Sequence, residues 1–250
     1  MNTKRIELLV LALLLVAGFA GIAEARLSTV SPTTANGFPL WYSDLPATNA
    51  AGTRLGLCVD ATFCDVSSAI AGNPLSERTG FGRKAWYWRA QTRITRGNQV
   101  IAEVKMGVEA GYVGGAVAAP RRMTNNFIII ELKNLPVDGN YTVIHPYGRN
   151  TFRVVAEPGG GNREVTFINR VGGRNFSLAL NGPVGRYLKG VDPAPPLGFI
   201  GWHNTLQTVT GSPGGTNFVR IIGPPGANLG GTTRPNVVTQ NQFFLSGQLF

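Results

Sequence analysis

Apolar and polar residues alternate in short runs along most of this chain, and the longest alternation lies between Trp86 and Glu109. Trp86, Trp88, Ala90, Thr92 and Ile94 share one face, and Tyr87, Arg89, Gln91 and Arg93 the other. After Arg96-Gly97-Asn98 the pattern resumes, with Val100, Ala102, Val104, Met106 and Val108 on the inward face and Glu103, Lys105 and Glu109 on the outward one. A period of two belongs to half-buried strands, so this stretch predicts a long hairpin. Both inward sets carry even numbers, and directly paired residues share a face only if the loop holds an odd number of residues. The pattern therefore predicts a loop of about three residues, at 96–98 or 97–99, with Gly97 or Asn98 left-handed. The second register sets Arg93 opposite Glu103, a favourable cross-strand pair.

Shorter alternating runs occupy 54–59, 127–132, 141–144, 151–156, 163–168, 174–180, 205–210, 217–222 and 242–249, with Gly, Pro and Asn between them. Leu55, Leu57 and Val59 form the apolar face of the first. Phe38, Trp41 and Tyr42 are expected to pack against the first sheet, behind a flexible lead-in over 26–35. Residues 157–162 read as a hairpin loop or a linker, and the Pro/Gly-rich 181–201 as an irregular but ordered excursion. No helical periodicity occurs beyond residue 25. About twelve short strands with turn formers between them define an all-β chain.

The first 25 residues are of another kind. Lys4 and Arg5 precede an apolar run from Leu8 to Ala20, and Ala23-Glu24-Ala25 is a small-x-small cleavage site. This is the pattern of an export signal, with the mature chain beginning at Arg26. The run is short for a membrane span, so no integral span is expected after cleavage. The location implied is secreted, periplasmic or cell-surface. Cys58 and Cys64, the only cysteines, are expected to form a disulfide there, contributing about 2–3 kcal/mol because the loop is short. The spacing is neither C-x-x-C nor a zinc pattern.

Charge adds a second constraint. The formal net charge is +10, and 18 of the 23 basic residues are arginine. The signal carries equal numbers of acids and bases, so the surplus belongs to residues 26–250. Arginine forks match phosphate, sulfate and carboxylate groups. An exported protein so charged would meet anionic polysaccharide, lipopolysaccharide or extracellular DNA.

Two resemblances bear on the fold. Leu135-Pro136 through Tyr141 resembles the corner segment of fibronectin type III and immunoglobulin-like sandwiches, which implies that Tyr141 is a corner tyrosine tied back to the backbone. Gly37-Phe-Pro-Leu-Trp-Tyr-Ser-Asp44, Leu55-Gly-Leu-Cys-Val-Asp60, His145-Pro-Tyr-Gly148 and Val209 through Phe218 together resemble a set of secreted bacterial proteins of unknown function. That likeness implies export and a shared fold, and brings no activity or ligand.

Catalytic chemistry has little to stand on. His145, Asp192, His203 and Ser212 occur in the chain, but no nucleophile turn surrounds Ser212, and Pro213 occupies a position where an oxyanion N–H is often wanted. His145-Pro146-Tyr147-Gly148 reads as a tight turn, with a ligand-contacting loop as the alternative. Asp44, Asp60 and Asp65 flank the cysteine loop without a calcium-loop pattern, and no P-loop or dinucleotide motif appears. No cofactor or metal is expected. An outer-membrane barrel fails because Ser246 and Gln248 fall where an outward apolar band is needed.

The best candidate is the basic run. Arg83, Lys84, Arg89, Arg93 and Arg96 are interleaved with aromatics, and Tyr87, Arg89 and Arg93 share one strand face. A ring beside guanidinium groups suits an anionic polymer. The expectation is therefore an immunoglobulin-like β-sandwich over 36–170 with a second β lobe or a smaller C-terminal β extension over 171–250. It is expected to act as a non-enzymatic structural or adhesive module. The alternative is a secreted carbohydrate-active or hydrolytic enzyme.

Overall fold

The computed structural model describes residues 26–44, 52–157, 161–230 and 234–250. Residues 1–25, expected to be an export signal, lie outside them. In chain order the elements are β1 (Leu27–Val30), β2 (Trp41–Asp44), β3 (Arg54–Gly56), the helix α1 (Pro74–Thr79), β4 (Lys84–Arg96), β5 (Gln99–Tyr112), β6 (Arg122–Leu132), β7 (Gly139–His145), β8 (Gly148–Val154) and β9 (Val165–Gly173). After a 3₁₀ turn at Phe176–Asn181 come β10 (Lys189–Asp192), β11 (Gln207–Thr210), β12 (Val219–Ile222), β13 (Val237–Gln240), β14 (Gln242–Ser246) and β15 (Gln248–Leu249). The fold is an all-β sandwich. A seven-stranded antiparallel sheet, ordered β10-β11-β14-β4-β5-β6-β9, is accompanied by two four-stranded sheets, β1-β2-β3-β15 and β13-β12-β7-β8.

The expected hairpin is the spine of the large sheet. Arg93 lies opposite Glu103, as the second register requires, but the loop is shorter than expected. Arg96 pairs with Gln99 around Gly97-Asn98, and Gly97 takes a left-handed φ of 57°. The odd residue sits instead in a bulge: Thr95 pairs with Val100 and Ile94 with Ala102, leaving Ile101 unpaired. A bulge restores the facing pattern just as an extra loop residue would.

A second bulge lies at Tyr87, since Trp86 faces Glu109 while Trp88 faces Val108. It sends Tyr87 and Trp88 into the core together and turns Trp86 outward. The inner face of the large sheet, with Trp88, Ala90, Val104, Met106 and Ile130, forms one apolar cluster with Tyr141, Val143, Val219 and Ile221 of the β7–β12 pair. Ring contacts join the layers: Trp88 meets Tyr147 edge-on, Phe152 meets Phe167, and Tyr42 of the first small sheet meets Tyr87 at 4.8 Å.

Three local expectations change. Residues 26–35 are not a loose lead-in: β1 pairs with β2 and buries Leu27. The strand expected over 54–59 stops at Gly56, because the Cys58 N–H bonds to the Trp86 carbonyl and the chain turns into the cysteine loop, leaving Val59 exposed. The helix α1 interrupts a chain expected to hold strands alone. Asn73 caps it by accepting from the N–H groups of Leu75 and Ser76, Pro74 opens it, and Gly80 closes it at a left-handed φ of 78°; these are the ordinary start and stop signals.

Residues beyond 171 extend all three sheets and do not build a separate lobe. β14 pairs with β4, β12 with β7, and β15 with β3. The Tyr141 hydroxyl donates to the Val137 carbonyl at 2.8 Å, tying the entry of β7 back on itself.

Candidate functional site

The outward face of β4 carries Lys84, Trp86, Arg89, Gln91 and Arg93. Tyr87, expected among them, is fully buried: its hydroxyl donates to the Pro39 carbonyl at 2.6 Å, and desolvation raises its pKa well above the usual phenol value. The bulge is the physical reason, and it places the indole of Trp86 where the phenol was expected. Trp86 packs on Phe127 of β6 with ring centroids 5.8 Å apart. The guanidinium of Arg89 lies 5.2 Å over Trp86, and that of Arg170 lies 5.4 Å over Phe127. Both rings are thus roofed by cations and nearly closed to solvent.

Those cations are already partnered. Arg89 pairs with Asp65 and also donates to Gln91, which donates in turn to Glu103. Glu103 accepts Arg93 Nε at 2.6 Å on one oxygen and Lys105 Nζ at 2.8 Å on the other. Lys105 also reaches Glu131, and Lys84 and Arg170 flank the buried Glu109. Burial alone would raise the Glu103 pKa, but the bonds from Lys105 and Arg93 outweigh it and hold the carboxyl below its usual range. Arg89 is shifted down by desolvation, against the pull of Glu103. The face is a ladder of paired charge, in which four carboxylates hold five cations. Arg83, just before the strand, and Arg96, its last residue, make no ion pair among the described residues.

Cys58 and Cys64 are joined in a disulfide with their Cα atoms 5.9 Å apart. Phe63 within the loop stacks on Phe199 and Trp202, so the loop is anchored to the C-terminal segment. The three aspartates around it serve separate ends. Asp44 is buried and accepts the Thr53 N–H, Asp60 accepts the Thr62 N–H, and Asp65 pairs with Arg89. Among the described residues no group of three His, Cys, Asp or Glu side chains could hold a metal ion.

The residues weighed for a hydrolase are not brought together. His145 is buried in the β7–β8 turn, with Nε2 at 2.9 Å from Asn150 Oδ1 and Nδ1 accepting the Tyr147 N–H. That pairing fits one neutral tautomer, the proton on Nε2. His203 lies beside Arg89 and Ser246, and the buried Ser212 hydroxyl has no hydrogen-bond partner. Among the described residues no hydrogen bond or ion pair joins either histidine to a carboxylate or to Ser212. A groove of about 280 Å³ lies against the β3–β15 pair, lined by Pro39, Leu40, Val59, Gln248 and Phe250 among others, and no lining side chain is titratable.

The His145 turn carries a pH signature. Burial depresses the ring's pKa, and the Asn150 bond only partly opposes this. A depressed folded value means that the unfolded chain binds the proton first. The stabilisation is complete above the ordinary histidine pKa of about 6.5 and is lost as pH falls below it toward the folded value, at up to ~1.4 kcal/mol per pH unit. Urea unfolding at pH 7.5, 6.5 and 5.5 checks this. The stability gap between wild type and His145→Gln is expected to narrow steadily as the pH drops; a constant gap contradicts the assignment.

A set of residues that a strand-by-strand reading of the sequence misses stands on the β13-β12-β7-β8 sheet. Tyr141, Val143, Val219 and Ile221 point to the core, so their neighbours point to solvent: Asn140, Thr142 and Ile144 on β7, Arg149, Thr151 and Arg153 on β8, Arg220 and Ile222 on β12. The alternation of Arg149, Thr151 and Arg153 is visible in the sequence; the adjacency of Arg220 is not, because β12 lies far along the chain. No family model, curated protein or solved structure matches this chain.

Proposed function

We propose that this chain is an exported, non-enzymatic β-module of the cell surface or extracellular space, structural or adhesive, that holds anionic polymers through its surplus of basic charge. One observation carries the reading. The net charge is +10, yet the most basic strand has its central cations neutralised by Asp65, Glu103 and Glu109. The surplus therefore stands elsewhere on the surface, free to meet a partner. Within the run first singled out, Arg83 and Arg96 are the cations that remain available. The Cys58–Cys64 disulfide is compatible with an extracellular or periplasmic place, and no described helix is long and apolar enough to cross a membrane. The export half of the proposal rests on the pattern of the first 25 residues.

The test is retention of the exported protein on immobilised acidic polysaccharide, lipopolysaccharide or DNA across a salt series. Retention is expected to fall steeply as salt rises, the signature of counterion release. Absence of retention at low salt, or retention indifferent to salt, overturns the proposal.

A further inference from the structure

The outward face of the β13-β12-β7-β8 sheet differs from that of the large sheet in one respect: its strand positions carry arginines and no acid. Cross-strand pairing sets Thr239, Arg220, Ile144 and Arg149 in one row, and Val237, Ile222, Thr142 and Thr151 in the next; Asn140 pairs with Arg153 beyond them. Arg220 and Arg149 are thus two strand spacings apart, about 10 Å, and Arg149 and Arg153 are four residues apart on one strand, about 13 Å. Arg149 and Arg153 are exposed, and no ion pair holds any of the three among the described residues. Arg153 feels the charge of Asp138, but that carboxylate is engaged by Arg163. Arg220 is steadied from two sides: its guanidinium lies 4.6 Å over the Phe218 ring, and its Nε donates to Thr239 Oγ1 at 3.0 Å. Thr142 and Thr151 meet hydroxyl to hydroxyl at 2.9 Å.

We infer that this face is the binding surface for a linear anionic polysaccharide. The inference deepens the polyanion reading above and depends on it. Arginine forks take sulfate or carboxylate groups in bidentate fashion. The rows between them offer threonine hydroxyls and an asparagine amide, which donate to and accept from sugar hydroxyls. Ile144 and Ile222 supply the apolar patch on which the C–H face of a sugar ring can rest. The same face lacks the row of exposed aromatic rings on which single-stranded nucleic acid stacks. The charges stand on β8 and β12, either side of β7 and backed by a packed core, so little conformational entropy is lost on binding.

The experiment compares two triple variants of the exported protein that remove the same net charge: Arg149→Ala/Arg153→Ala/Arg220→Ala on this face, and Arg83→Ala/Arg93→Ala/Arg96→Ala on β4. The probe is dextran sulfate, with a single-stranded DNA of matched charge as comparison, read by equilibrium binding across a salt series. The first triple is expected to weaken dextran sulfate binding more than tenfold and to flatten the log–log salt slope by about two to three. The second is expected to change binding less than threefold. Unfolding curves confirm that each variant folds, and Arg→Gln versions replace any that does not. Equal losses in both triples, or tighter binding of the DNA than of dextran sulfate, overturn the inference while leaving the polyanion reading intact. A wild-type protein that binds neither polymer overturns both.

Discussion

Replacing Trp88 with alanine is expected to cost about 3–5 kcal/mol, the range for deleting a large buried aromatic side chain. A domain whose total stability is about 5–15 kcal/mol loses a large share of it. Trp88 has no exposed surface. Its ring meets Tyr147 edge-on at 6.0 Å and Tyr187 at 5.7 Å, and its Nε1–H donates to the Leu188 carbonyl at 3.2 Å. The side chain therefore joins β4, the β7–β8 turn and the 181–201 excursion at one point. Trp88→Phe separates the two contributions: it keeps most of the ring contact but leaves the Leu188 carbonyl unpaired, a loss of about 1–3 kcal/mol. Trp86→Ala is the control, because that ring lies on the outward face beneath Arg89, and its removal is expected to cost at least about 1 kcal/mol less than the loss of Trp88. Urea unfolding followed by far-UV circular dichroism measures all three. Equal costs for the two tryptophans would falsify the bulge at Tyr87, since without it both rings fall on the same face.

That bulge marks the boundary of what the chain discloses before it folds. The spine hairpin is legible because its alternation runs along both arms, 86–94 and 100–109, with turn formers between them, and parity places Arg93 opposite Glu103. Parity counts residues, however, and cannot tell a loop residue from a bulged one; both Ile101 and Tyr87 escape it for that reason. For Tyr87 the consequence is large, because one displaced residue exchanges the exposed ring of the candidate site for a core side chain. The ladder of paired charge is equally hidden. Asp65 lies far from Arg89 in sequence and reaches it only because the disulfide loop folds back over β4. Helix α1 leaves clear marks in Asn73-Pro74 and Gly80, but six residues are too few for periodicity to show. The C-terminal strands are short, and a strand of four residues carries no record of its partner. That β14 joins β4 and β12 joins β7 is decided by packing across the whole domain, and it is this that brings Arg220 beside the arginines of β8.

The packing that organises the C-terminal half depends heavily on one amide. Asn126 sits on the inner face of β6 with no exposed surface. Its Nδ2 donates to the carbonyls of Ala179 and Val184 at 3.0 and 2.7 Å, and its Oδ1 accepts the Val184 N–H at 2.9 Å. Gly182 presses so closely that an added Cβ would stand 2.3 Å from the Asn126 side chain. An apolar residue of similar size removes all three bonds and strands two carbonyls and an N–H in the core. Each stranded group costs about 1–3 kcal/mol, so Asn126→Leu is expected to lose roughly 3–5 kcal/mol after partial relaxation. Asn126→Asp is the sharper probe, because it preserves shape and removes donors. The introduced carboxyl faces two carbonyls in a dry site, so its folded pKa must rise above the unfolded value of about 3.9. Stability contributed by the protonated form is complete below that value and is lost as the pH climbs through the folded pKa. The penalty of Asn126→Asp is therefore expected to grow from pH 4 to pH 7, while that of Asn126→Leu stays level. Urea unfolding at the two pH values, with hydrogen exchange at the Val184 amide, reads both effects. A cost under about 1 kcal/mol for Asn126→Leu, far below that of an unmade set of buried bonds, would show that residues 176–188 are held to the sheet by other contacts.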